Sequence, residues 1–198
     1  MHLVRTTRFR RGKLPHWEVE GGRYFVTVRL ADSLPREVVA RLQEVHRTLD
    51  DVTAKSEAFA ALQRQYFRLM EKYLDAGAGE CVLRNPSAAT AVKEELHALH
   101  EWEVEVPHFA IMPNHWHALI APSTGCSRPL GEIMKRVKGR TGKRIRDAIG
   151  GRGPVWQTEW FDRWVRDDHE WESTIAYIRN NPVKAGLAAS WQEHPWTR

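Results

Sequence analysis

The chain predicts an α+β fold in which helices cover a sheet. An alternating run rich in β-branched and aromatic residues at 23–30 is typical of a strand, and apolar residues recur at helical spacing over 38–52 and 59–74. A further apolar run at 108–120 is interrupted by a Pro-Asn turn. The order strand, helix, then strand, strand, helix favours a layered architecture with helices packed on a sheet.

The first half of the chain supplies the early elements. A first helix begins after Ser33 and Pro35, and a second helix ends at Gly77. Residues 81–85 predict a short strand, and an Ala-rich helix follows over 88–100.

The second half adds a pair of strands and a basic helix. Residues 102–112 predict a strand with an edge or bulge at Pro107, and 115–120 predict the next strand. A helix over 129–149 carries a run of cations, and the glycines of 150–154 predict a hinge.

Composition points to a soluble protein with an anionic partner. The 198 residues carry a formal charge of +5 with a pI near 9.4, and no apolar stretch is long enough for a membrane span. Cys81 and Cys126 are too few and too isolated for a disulfide framework, so a reducing cytoplasm is expected.

The positive charge is concentrated in two clusters. Charge runs often form a solvated face, but two such clusters favour nucleic acid. One lies near the N-terminus, at Arg5, Arg8, Arg10, Arg11 and Lys13. The other lies on the predicted basic helix, at Lys135, Arg136, Lys138, Arg140, Lys143, Arg144 and Arg146. Two further candidate contacts, Arg163 and Arg166, precede the last helix.

Two histidines form the candidate metal site. Successive strand residues face opposite ways, so His115 and His117 project from one face about 7 Å apart. A lone strand histidine is more often structural. Two on one face of an apolar segment need polar partners, which a shared cation would provide. Spacing alone leaves both alternatives open.

A tyrosine on the last predicted helix, 168–181, lies off the apolar seam. On a helical wheel the seam is formed by Trp171, Ile175 and Ile178. Tyr177 is about 100° from it, and Asn181 lies one turn further along, before the predicted stop at Pro182. Such a tyrosine is commonly an ordinary surface residue. Together with paired histidines and a basic helix, it could assemble a phosphodiester-cleaving site, with a metal ion stabilising the transition state.

These residues resemble a known family. MPNHWHALI followed by WQTEWFDRWVRDDHEWESTIAYIRNNPVKAGL, with GRYFVTVRLADSLP and YLDAGAGECVLRNP, is similar to the REP-associated tyrosine transposases, which are single-tyrosine HUH nucleases related to insertion-sequence transposases. The resemblance covers most of residues 21–190. It implies a ferredoxin-like antiparallel sheet with helices packed on one face.

The resemblance also implies an activity and a set of roles. Tyr177 matches the nucleophile that attacks single-stranded DNA, forming a 5′-phosphotyrosine and releasing a 3′ hydroxyl. His115 and His117 match the metal ligands, and Asn181 matches a third ligand on the helix of the tyrosine. The family uses Mg²⁺ or Mn²⁺. Trp116, between the histidines, is expected to face the opposite side of the sheet.

The expected protein is one HUH domain over 1–198, acting on REP-like hairpins as a monomer or homodimer, cytoplasmic and nucleoid-associated in a bacterium. It divides into a basic arm at 1–20, the sheet and helices at 21–149, and the hinge, tyrosine helix and tail at 150–198. The alternative is a non-catalytic DNA-binding regulator of palindromic repeats. A zinc hydrolase would need further ligands at defined spacing, and the sequence offers no such motif.

Overall fold

The N-terminal segment forms a small sheet of its own. The computed structural model describes residues 6–11, 15–19, 21–50, 52 and 56–198. Strands β1 (Thr6–Arg11) and β2 (Pro15–Val19) pair antiparallel. Both strands lie within the segment 1–20 that was expected to form a basic arm. Arg5 and Lys13 lie outside the described residues, as do the side chains of Arg8, Arg10 and Arg11.

The main sheet is antiparallel throughout. Its strands are β3 (Arg23–Arg29), β4 (Val104–Glu105), β5 (Phe109–Ile111), β6 (His115–Pro122) and β7 (Phe161–Val165). β7 pairs with β3, β3 pairs with β6, and both β4 and β5 pair with the other side of β6. This strand order confirms the expected ferredoxin-like sheet.

Helices cover both faces of the sheet. They are α1 (Arg36–Asp50), α2 (Glu57–Leu74), α3 (Pro86–His97), α4 (Leu130–Ile149) and α5 (Asp168–Lys184). One face packs on α3 and α4, the other on α1, α2 and α5. The expectation of helices on one face is therefore wrong. The sequence reason is that β3 is apolar on both sides: Val26 and Val28 face α3 and α4, whereas Phe25 faces α1 and α2.

Three local predictions need correction. Residues 81–85 are not a strand, because Cys81 adopts a left-handed backbone (φ 53°) and a 3₁₀ turn follows at Val82–Arg84. The predicted strand 102–112 is divided into β4 and β5 on either side of Pro107, as the edge-or-bulge prediction anticipated. Pro182 does not end α5, since the helix continues to Lys184 and the amide of Ala185 still bonds the carbonyl of Asn181, 3.0 Å away.

A buried ionic cluster attaches β2 to β7. His16 Nδ1 bonds Asp162 of β7, and its Nε2 lies 3.3 Å from Glu159. Burial by itself would lower the pKa of His16, but the two carboxylates outweigh burial and raise it to about 9. The imidazole is therefore charged at neutral pH and links the small sheet to the main one. Within the described ranges, no helix combines the length and apolarity needed to cross a bilayer.

Candidate metal and tyrosine site

The paired histidines occupy the centre of the sheet. His115 and His117 project from β6 toward α1, α2 and α5, and both are fully buried. Trp116 between them packs among the side chains of α3 and α4 on the opposite face, as expected. The period of two along the strand therefore brings the imidazoles together: their Nε2 atoms are 3.0 Å apart.

Hydrogen bonds at the Nδ1 atoms hold both rings in place. The amide of Asn114 donates through Nδ2 to the carbonyls of Leu74 and Ala78, so its oxygen is left to accept from His115 Nδ1 at 2.7 Å. Thr27 Oγ1 lies 2.8 Å from His117 Nδ1. A neutral imidazole protonated at Nδ1 presents its lone pair at Nε2, so the contact with Asn114 prepares His115 to bind a cation.

Glu71 on α2 completes a buried cluster that the sequence analysis missed. Its Oε2 lies 3.5 Å from His117 Nε2, and one ligand atom from each of Glu71, His115 and His117 lies within 4.8 Å of the others. Sequence did hold a signal: Glu71 is four residues after Phe67 and three before Leu74, on the apolar stripe of α2. A carboxylate at an inward helical position needs a polar or cationic partner.

The three side chains fit a divalent cation. Two nitrogens 3.0 Å apart can both reach one ion at the usual distance of about 2.1 Å, and a carboxylate oxygen stands beside them. Among the described residues, Glu71 Oε1 is buried without a hydrogen-bond partner. A bound cation would satisfy this buried anionic oxygen, so the carboxylate suits a metal ligand.

The protonation states also suit metal binding. Burial raises the pKa of Glu71, but the neighbouring imidazoles and the hydrogen bonds it accepts outweigh burial and lower it to about 2. Burial, together with the charge of His117, lowers the pKa of His115 to about 3. At neutral pH the cluster therefore offers an ionised carboxylate and a neutral imidazole, which are the forms that bind metals.

Tyr177 on α5 reaches the same cluster. Its hydroxyl donates a hydrogen bond to Glu71 Oε2, and its ring packs against His117, with centroids 5.4 Å apart, and against Phe25 and Phe67. Burial first, and then the negative charge of Glu71, raise the pKa of Tyr177 above its usual value. The phenol is therefore protonated and held against a base.

Asn181, the predicted third ligand, is buried one turn beyond Tyr177. Its Nδ2 donates to the carbonyl of Tyr177 at 2.9 Å, which holds the side chain against its own helix. The oxygen that the structure brings beside the imidazoles belongs to Glu71. A ligand role for Asn181 stays a prediction.

A cavity of about 220 Å³ opens beside Tyr177. Arg163 and Arg166, both predicted to contact nucleic acid, line it together with Arg64. Arg163 lies 3.4 Å from Thr174 and 3.9 Å from Glu170, both long contacts. The approach to the phenol is therefore bordered by cations.

The basic helix α4 lies on the other side of the sheet. Arg136, predicted to contact nucleic acid, is paired inside the fold: its side chain is 3% exposed and bonds Glu95 at 2.7 Å and Glu101 at 2.8 Å. Lys138 is partly buried and donates to the carbonyl of Thr158. These two cations hold the fold together.

The remaining cations of α4 are closer to solvent, and several are paired. Arg140 lies 3.6 Å from Glu95, Lys143 lies 3.2 Å from Asp147, and Arg144 pairs with Glu94. Lys135 is exposed and Arg146 half-buried. Their placement behind the sheet means that they cannot line the cavity of Tyr177, so any DNA they contact lies away from the histidines.

Comparisons with known proteins place this geometry in a family. A family model described as IS200-like transposase matches residues 82–181, which include both histidines, Tyr177 and Asn181. An uncharacterised protein of Haemophilus influenzae (strain ATCC 51907 / DSM 11121 / KW20 / Rd) is 27% identical over 107 residues, covering 41% of this chain and 56% of that protein. The chain thus spans about half the length of the curated relative it matches.

The fold has a solved counterpart. A REP-associated tyrosine transposase bound to a REP hairpin superposes with a TM-score of 0.51 at 16% identity, over 96% of this chain and 81% of that one. At this identity the likeness concerns the fold alone. The assignment rests on the family model, whose match covers half of the chain and includes the paired histidines and the tyrosine. The chain therefore belongs to the IS200-like transposase family.

Proposed function

We propose that this protein is a metal-dependent single-stranded DNA endonuclease and strand transferase that acts on palindromic, REP-like hairpins. Tyr177 is the nucleophile, and His115, His117 and Glu71 hold the metal, with Asn181 as a further oxygen ligand. One observation carries the proposal: the hydroxyl of Tyr177 is hydrogen-bonded to the carboxylate that stands beside the two imidazoles.

The donor set favours Mg²⁺ or Mn²⁺ once DNA adds phosphate oxygens, and the resemblance favours the same ions. When bound, the cation supplies positive charge that polarises the phosphate and lowers the pKa of the nearby phenol. The chain itself supplies the orientation. Thr27 and Asn114 fix the two rings, and the ring contacts of Tyr177 fix the direction of its hydroxyl.

The first transesterification proceeds from the phenol. Its oxygen attacks the phosphorus, the bond from phosphorus to the 3′ oxygen breaks, and Tyr177 becomes joined to the 5′ phosphate. The phenolic proton already points at Glu71 Oε2, so the carboxylate is the nearest acceptor as the new bond forms. The departing 3′ oxygen takes up a proton and leaves as a hydroxyl.

The second step reverses the first with a different strand end. A 3′ hydroxyl attacks the phosphotyrosine, the bond from the tyrosine oxygen to phosphorus breaks, and Tyr177 recovers its proton. One ester replaces another at each step, so rejoining needs no ATP.

The surroundings of Tyr177 support a single-stranded substrate. Tyr177 lines a cavity of about 220 Å³, which a flexible strand can enter but a duplex cannot. Arg163 and Arg166 at its border can pair with backbone phosphates, which positions a strand without reading its sequence. The solved relative is bound to a REP hairpin, which supports a hairpin beside the cleaved strand. The proposal implies a cytoplasmic, nucleoid-associated protein.

The test is a covalent adduct. A hairpin oligonucleotide labelled at its 3′ end and incubated with Mn²⁺ should give a labelled protein band on a denaturing gel, whereas a 5′ label should appear only in a released fragment. Tyr177→Phe should abolish the adduct, and Tyr73→Phe, a tyrosine of α2, should retain it. If Tyr177→Phe forms the same adduct, the nucleophile is wrong.

The metal cluster has a separate test. His115→Ala should abolish cleavage but keep much of the salt-dependent binding to DNA, because binding depends mainly on phosphate contacts. If the wild-type protein binds the hairpin with a steep salt dependence but never cleaves it in any divalent metal, the non-catalytic regulator is the better description.

A further inference from the structure

Arg29 lies beside the histidines without a role in the site described above. In the pairing of β3 with β6, Arg29 is directly opposite His115, and Thr27 is opposite His117. Directly opposed residues of antiparallel strands have Cβ atoms about 5 Å apart on one face of the sheet. The side chain of Arg29 therefore starts from the same face of the sheet as the metal cluster, directly opposite His115.

This arginine is buried without a counter-ion. It is 7% exposed, and within the part of the chain that the structure describes no carboxylate pairs with it. Among the described residues, its side chain makes one hydrogen bond, and that bond is long, 3.4 Å from Nη1 to Ser33 Oγ. A guanidinium can donate five hydrogen bonds, and no Arg29 nitrogen is among the described buried atoms without a partner, so its remaining N–H groups are open to the cavity that Arg29 lines.

Arg136 shows how this chain balances a buried arginine for structural purposes. It is buried to the same degree, 7% exposed, but bonds two carboxylates and a backbone carbonyl. Leaving a buried charge unpaired costs stability, so an arginine kept without a partner inside the fold is expected to meet an anion from outside.

The cavity in front of Arg29 has the chemistry of a nucleotide site. It measures about 330 Å³. Cationic, aromatic, amide and acidic side chains all contribute to its wall: Arg29, Arg47, Tyr66, Trp160, Gln43, Gln157 and Glu159, whose carboxylate lies 3.3 Å from His16. The guanidinium suits a phosphate, the rings offer stacking faces, and the amides can hydrogen-bond base edges.

The cavity also adjoins the metal cluster. Thr27 lines it and hydrogen-bonds His117, while Met70 lines it and precedes Glu71 in α2. It is a different opening from the one beside Tyr177, whose wall includes Phe25, Arg163 and Thr174. The two openings share the wall residue Phe161.

We propose that Arg29 binds the backbone phosphate next to the scissile one, and that the cavity in front of it holds the unpaired nucleotide attached to that phosphate. This rests on the proposed function. A strand entering past Tyr177 then has two fixed points on the sheet, the cleaved linkage at the histidines and its neighbour at Arg29.

The first experiment needs no DNA cleavage. Thermal unfolding is followed with and without inorganic phosphate for wild type, Arg29→Met and Arg41→Met, an exposed arginine of α1 as the control. Phosphate should raise the melting temperature of wild type and Arg41→Met but not of Arg29→Met. Without phosphate, Arg29→Met should be at least as stable as wild type, because an unpaired buried charge has been removed.

The second experiment measures strand binding in a Tyr177→Phe background, so that cleavage plays no part. Adding Arg29→Met should raise Kd for a single-stranded oligonucleotide about 10-fold, the loss expected for a charged hydrogen bond. It should also reduce the slope of log K against log salt by about 0.7, which corresponds to one phosphate. A neutral methylphosphonate at the linkage beside the cleaved one should weaken binding to the parent but not further weaken binding to the Arg29 variant.

Each outcome decides the matter. Equal phosphate stabilisation, or equal salt slopes, in wild type and Arg29→Met overturns the proposal. If Arg29→Met does not fold, Arg29→Lys replaces it: reduced phosphate stabilisation supports the subsite, and undiminished stabilisation overturns it. If the Arg29 effects appear but wild type forms no tyrosine adduct, the proposed function fails and the phosphate site stands.

Discussion

Replacing Glu71 by Gln tests whether the buried cluster is a metal site. The amide has the same shape and can still accept the hydrogen bond of Tyr177, but it lacks the charge that faces the imidazoles. An ion present at 100 times its Kd raises the free energy of unfolding by about 2.7 kcal/mol. For a chain of this length that is a rise of about 5–10 °C in melting temperature.

The variant should lose most of that rise. If removal of the carboxylate weakens Mn²⁺ binding about 100-fold, the same Mn²⁺ concentration equals the new Kd and stabilises by only about 0.4 kcal/mol, or about 1–2 °C. The measurement is thermal unfolding with Mn²⁺ or with a chelator.

The matched control is Glu95→Gln. Glu95 is also a buried carboxylate, but it pairs with Arg136 on the other side of the sheet. This variant should be less stable both with and without Mn²⁺, yet keep the full Mn²⁺-induced shift. The reasoning is refuted if Glu71→Gln keeps the wild-type shift, because the carboxylate would then have no part in metal binding.

Three further outcomes are expected. Arg136→Met should lower the free energy of unfolding by about 3 kcal/mol in urea titrations, because the buried carboxylate of Glu95 loses its nearer cation and keeps the longer contact with Arg140; weaker DNA binding at unchanged stability would contradict this. Since the pKa of His16 is raised from 6.5 to about 9, its stabilising effect is complete below about pH 6.5 and is lost as the pH rises through about 9. The charge of His16 contributes at most about 3 kcal/mol to the free energy of unfolding. His16→Asn should therefore remove the fall of this free energy between about pH 6.5 and 9, as measured by urea unfolding. Arg166→Gln should slow adduct formation, whereas Lys143→Gln should not, because only Arg166 borders the cavity of Tyr177; equal rates for both variants would argue against that cavity as the entry path of the strand.

Local chemistry made the elements of the site predictable. The alternation along 115–120 placed both histidines on one face and Trp116 on the other, because strand geometry alone determines which way each side chain points. The apolar seam of the last helix likewise set Tyr177 apart from Ile178. These properties depend on residues close together in the sequence, so the sequence was enough to predict them.

Other features depended on packing between distant segments. Glu71 is more than forty residues from the histidines in sequence, and only the docking of α2 on the sheet brings its carboxylate to them. The sequence pattern also could not show that Arg136 is buried and paired with Glu95. Nor could it show that, among the described residues, no carboxylate pairs with Arg29.

The sequence by itself predicted the helices and the central strands of the main sheet, and it placed two imidazoles on one face of a strand and a tyrosine off the apolar seam of a late helix. Only the tertiary structure decided that helices cover both faces of the sheet, that Glu71 joins the tyrosine to the histidines, and that the cations of α4 lie behind the site. The physical reason is that secondary structure follows from interactions over a few residues, whereas the partner of a buried charge is chosen by whichever distant segment packs against it.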